Sequence, residues 1–131
     1  MSLTSDKNRQ EFLTSGFTIL PGFYCQHQQV EPILEGIRDI IALICHKYDV
    51  AAPTDTPAEA MTTAFMALIQ QSRGYGAEVY DAVKQIPAFM QLVSDCRNAD
   101  VFKELRAGSM PGLAAGSYGI RIDCPGERTV R

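Results

Sequence analysis

The side chains best suited to proton or metal chemistry are the two histidines, His27 and His46. His27 stands among glutamines beside a turn, a solvent-facing context. His46 falls with Lys47 at the end of a long periodic apolar run, where positive charge suits a helix C-terminus, and no nucleophile motif stands near it. Glu31, Glu35 and Asp39 repeat every four residues and form one carboxylate stripe. A di-iron bundle would set Glu-x-x-His pairs beside such a stripe; none is present, so it reads as a solvated helix face. Gly74-Tyr75-Gly76 lacks the preceding strand of a phosphate loop and reads as a hinge between helices. Cys25, Cys45, Cys96 and Cys124 form no C-x-x-C pair and offer no zinc-ligand spacing with either histidine. They read as four reduced thiols, some of them buried.

The elements that would position these residues are mostly helical. A polar, helical lead over Asp6 to Leu13 precedes Gly16-Phe17-Thr18-Ile19-Leu20, a β-rich run closed by Pro21-Gly22 and expected to form a strand. Val30, Ile33, Leu34, Ile37, Ile40, Ile41, Ile44 and Tyr48 then recur at spacings of three and four, which predicts a long helix over about 28–48. Thr56-Pro57-Ala58-Glu59 combines a cap, a first-turn proline and a capping-box glutamate, opening a helix over about 57–73. Its apolar face is Met61, Ala64, Phe65, Leu68 and Ile69. Further helices are expected at about 76–86, at 87–96 with Met90, Val93 and Cys96 inward, and at 98–107 with Asn98 as cap and Gly108 as stop. Met61, Met66 and Met90 read as core filler. Gly108 to Gly116 reads as a loop. Residues 117–123 alternate, with Tyr118, Ile120 and Ile122 on one face and Gly119, Arg121 and Asp123 on the other, the pattern of a second strand. The fold class is therefore mainly α with short β strands, in a single partial domain. Two strands so far apart make a poor sheet unless they pair with each other, with another chain, or with a sheet that is missing.

Composition excludes several classes. With 131 residues, 46% hydrophobic and 21% charged, the chain can bury a modest core of its own. A net charge of −3 argues against nucleic acid as a partner, because phosphate binding needs a basic surface. No apolar run is long enough for a membrane span, and the polar N-terminus carries no secretory h-region, so the expected home is the cytoplasm.

Two strings carry a resemblance. Gly16-Phe17-Thr18-Ile19-Leu20-Pro21-Gly22-Phe23 before a long amphipathic helix resembles the opening of phytanoyl-CoA dioxygenase-like proteins. Tyr118-Gly119-Ile120-Arg121-Ile122-Asp123-Cys124-Pro125-Gly126-Glu127 is similar to the strand and turn that lead into that family's iron motif, and the helices between, including Gly74 to Asp81, fit its N-terminal helical layer. The resemblance implies the helical layer of a double-stranded β-helix (jelly-roll) oxygenase, cut before most of the barrel. It implies Fe(II) and 2-oxoglutarate as cofactors of the complete enzyme, hydroxylating a small organic substrate. The family's H-x-D or H-x-E, second histidine and co-substrate arginine have no counterpart before Arg131, and His27 and His46 match neither ligand position. No catalytic residue and no metal ligand is carried over, and this chain alone is expected to be inactive. Arg121 and Tyr118 are the residues the resemblance would turn toward co-substrate or substrate; alternation allows at most one of them to do so. The alternative reading is a small self-contained helical interaction protein, a homodimer through an exposed apolar face or the terminal strand.

Overall fold

The computed structural model describes residues 2–112 and 118–124. Its elements are α1 (Asp6–Ser15), a π-helical turn (Gln26–Val30) running into α2 (Glu31–Lys47), α3 (Pro57–Glu59), a second π-helical turn (Ala60–Ala64), α4 (Phe65–Gln71), α5 (Arg73–Val83), α6 (Pro87–Val93) and α7 (Cys96–Leu105). Among the described residues there is no strand, so the expected α+β class is corrected to a helical one. Gly16, in the left-handed region at φ 81°, ends α1 rather than starting a strand. Residues 17–20 then run to a turn at Gly22 (φ 67°) with Phe17 and Ile19 exposed. Their β-propensity finds no partner strand among the described residues. The second expected strand is likewise unpaired over 118–123; Ser117 lies outside the described residues, as do most of the Gly108–Gly116 loop's second half and the turn at Pro125.

The core is built by α2, the stretch from α3 to α4, and α5. Ile33, Ile37, Ile41 and Ile44 follow the helical period and bury one face of α2 against Ala60, Ala64, Phe65 and Leu68, with Val79 and Val83 closing the third side. Phe65, Ile41, Leu68, Val79 and Val83 are the largest fully buried side chains, each contributing about 1.5–3 kcal/mol of apolar burial. Thr56 caps α3: its hydroxyl accepts from the Glu59 N–H (3.2 Å), and Glu59 accepts in return from the Thr56 N–H (3.1 Å). The Thr62 hydroxyl donates to the Ala58 carbonyl (2.7 Å) within the widened turn that follows.

Helix phases differ from the sequence expectation at three places. The break between α4 and α5 falls at Ser72 (φ −158°, ψ 130°), whose side chain caps Gly74, so Gly74-Tyr75-Gly76 is the first turn of α5 and not a hinge. Gly76 is there for close packing, since a Cβ would stand 2.8 Å from Ile69 Cγ1. The helix expected over 87–96 ends at Val93 as α6, and Cys96 opens α7; Met90 and Cys96, expected inward, are both exposed, and Ala88, Phe89 and Leu92 face the core instead. Finally, α7 is capped by Asp95, while Asn98 uses its side chain to donate to the Leu92 carbonyl (2.9 Å). α7 packs on α1, and its one buried side chain, Leu105, stands outside the core cluster.

Candidate functional site

Residues 118–124 lie against the helical core without forming a strand. Their burial alternates: Ile122 and Cys124 are buried, Tyr118 and Ile120 half-buried, Gly119, Arg121 and Asp123 exposed. Ile122 joins the core cluster, the Tyr80 hydroxyl donates to the Ile122 carbonyl (3.0 Å), and Cys124 Sγ approaches the Met61 carbonyl (3.4 Å). Tyr118 turns inward, its ring centre 6.3 Å from that of Phe89. Arg121 turns outward and donates to Asp123 (2.6 Å), both side chains more than half exposed. The two residues singled out by the resemblance are therefore on opposite sides of the segment, and no common site contains them.

The other candidates resolve into structural pairs. His27 Nδ1 meets Glu31 (2.7 Å) on an open turn, and Arg38 bridges Glu35 (2.9 Å) and Asp39 (2.6 Å), which accounts for the carboxylate stripe. His46 is exposed at the end of α2. A facial iron site needs two imidazoles and a carboxylate converging on one point. Among the described residues no three His, Cys, Asp or Glu side chains do so, and these residues do not fit such an iron. Cys25, Cys45, Cys96 and Cys124 form no disulfide with one another. Burial pushes the Cys45 thiol above its ordinary value.

Two polar clusters went unnoticed in the sequence. In the first, Lys47 (2.5 Å) and Tyr48 (2.6 Å) both donate to Glu78, holding its carboxyl below the usual range, while Tyr48 stacks on Tyr75. In the second, Asp95 accepts from the Arg97 guanidinium (2.6 Å) and from the Arg97 N–H (3.0 Å), which holds its carboxyl at about 2. Gln29 donates to Asp95 and accepts from Arg97, tying the turn before α2 to the start of α7. The only hint in the sequence is the D-x-R spacing at a helix start.

A cleft of about 310 Å³ lies beside this cluster, lined among others by Val93, Ser94, Cys96, Phe102 and Pro111. Its volume suits a small ligand. Its polar groups are engaged elsewhere, though: Ser94 donates to the Met90 carbonyl (2.8 Å), Asp95 holds Arg97, and Asn98 binds Tyr24 and Leu92. Beside the exposed Cys96 thiol the carboxylate among the described lining residues, Asp95, is committed to Arg97, so the cleft assembles no nucleophile–base pair from them.

Compared with known protein families, with curated proteins and with solved structures, the chain matches none. No helix among the described residues is long and apolar enough to cross a membrane.

Proposed function

We propose that this chain is the helical layer of a non-haem Fe(II)/2-oxoglutarate-dependent oxygenase of the kind the phytanoyl-CoA dioxygenase-like proteins represent. In this reading the complete enzyme hydroxylates a small organic substrate, and the helical layer packs and orients without catalysing. The observation in its favour is residues 118–124, the segment similar to the family's approach to its iron motif. They are laid along the helices with Ile122 and Cys124 inward and Arg121 outward. The chemistry would come from residues that follow this segment, and no step is assigned to the described ones. Cytoplasmic residence belongs to the same proposal and rests on cysteines that form no disulfide with one another.

The test is to read the gene past codon 131. An in-frame H-x-D or H-x-E within about 10–20 residues, the ligand chemistry of a facial iron site, supports the reading. A stop codon directly after Arg131 overturns it. Anaerobic titration of the 131-residue chain with Fe(II) and 2-oxoglutarate is expected to give no charge-transfer band.

A second reading, a helical interaction protein, is favoured by Leu13, Phe17 and Ile19, which are 65%, 63% and 70% exposed. It requires a stable complex of fixed size by size-exclusion chromatography with light scattering.

A further inference from the structure

The described residues 2–24 are hydrogen-bonded to the rest of the chain at two places, and both lie on α7. At the first, the Glu104 carboxylate accepts from the Ser2 hydroxyl (2.9 Å), the Leu3 N–H (3.0 Å), the Thr4 N–H (2.8 Å) and the Thr4 hydroxyl (2.6 Å). At the second, Arg97 donates to the Phe23 carbonyl (3.0 Å) and stands over the rings of Phe23 and Tyr24, while the Tyr24 hydroxyl donates to Asn98. Between these points the segment bonds to itself. Ser5 and Asn8 form a capping box, Asn8 donates to the Thr18 hydroxyl (3.0 Å), and Thr18 donates to Glu11 (2.6 Å). No described residue of this stretch enters the core cluster, and α1 has no buried residue.

We infer that residues 2–24 form a strap clasped to α7 by Glu104, able to release at that end while the core of α2, α4 and α5 stays folded. Four donors on one carboxylate make a strong local clasp, because hydrogen bonds to charged groups exceed neutral ones. Water can replace every one of them at the surface, whereas nothing replaces the apolar contacts of the core. Such a segment opens from the low end of the local stability range. Once free, a ten-residue helix does not persist alone, so α1 loosens with the clasp. Release lifts Leu3 from the depression of about 410 Å³ that it lines with Arg97, Asp100, Lys103 and Glu104, and uncovers the charged side of α7. The clasp is also sensitive to charge: a negative group at Thr4 would replace a donor with an anion facing Glu104.

Hydrogen–deuterium exchange by mass spectrometry on the full chain, on Glu104→Ala and on Thr4→Asp tests the strap. Both variants are expected to exchange residues 2–15 about tenfold faster or more, as follows from losing hydrogen bonds to a charged group, with peptides over 33–83 unchanged. Unchanged protection of residues 2–15 in either variant overturns the clasp. Faster exchange in 33–83, or unfolding of either variant, overturns the independence of strap and core.

Discussion

The core of α2, α4 and α5 and the outer layer of α1 with α7 are both helical, yet they are held by different forces. In the core, Ile41, Phe65, Leu68, Val79 and Val83 are fully enclosed, and no buried side-chain polar atom among the described residues lacks a partner. In the outer layer the fixed points are carboxylates: Glu104 on the N-terminal residues, and Asp95 on Arg97. Apolar burial is non-directional and proportional to area, so the core depends on volume and shape. The outer layer depends on protonation and on the placement of single donors. One chain thus carries a region sensitive to packing and a region sensitive to charge.

The largest effect that could break this contrast lies in the core. Phe65→Ala is expected to destabilise by about 3–5 kcal/mol in denaturant unfolding, since it removes a fully buried ring. A loss below 1 kcal/mol would mean that the core is not where stability resides. Gly76→Ala pushes a Cβ into Ile69 and should cost about 1–3 kcal/mol, and less in an Ile69→Ala background, which removes the Cγ1 atom that the Cβ meets. Thr56→Ala removes one half of the capping box and should cost about 1 kcal/mol.

Acid sharpens the contrast from the other side. Hydrogen bonds from Thr4 and then Leu3 hold the Glu104 carboxyl at about 2, against an ordinary 4.5. A carboxyl lowered on folding stabilises above its unfolded value, and that contribution is lost as pH falls toward the folded one. Asp95, lowered to about 2 chiefly by the Arg97 guanidinium, follows the same sign. The Glu104 anchor should therefore weaken between about pH 4.5 and pH 2, and the Asp95 anchor between about pH 3.8 and pH 2. Amide exchange of α1 would accelerate in that window relative to α5, after correction for intrinsic rates. Smallest of all is Arg121→Ala. It breaks an exposed pair with Asp123 and should leave unfolding within about 0.5 kcal/mol of the parent.

How far the sequence reveals this arrangement depends on the range of the interaction. The apolar stripe of α2 and the Thr56–Glu59 box are local patterns, and the structure carries both on the residues that display them. The β-rich run at 17–20 misleads because a strand exists only through its partner, and Gly16 is taken up in ending α1. Met90 misleads because α6, seven residues long, is too short for periodicity to fix its phase, and Cys96 because it opens a separate helix, α7. The Glu104 clasp leaves no local trace, since its donors stand about a hundred positions away in the chain. The alternation at Tyr118 and Arg121 is again a local pattern, and it corresponds to a half-buried Tyr118 and an exposed Arg121.

The most direct measurement of the two-region account is native-state hydrogen exchange of the unmodified chain at increasing denaturant. The account predicts that amides of α1 and α7 open at lower free energy, and with weaker denaturant dependence, than those of α2 and α5. A single opening free energy shared by all four helices would contradict it.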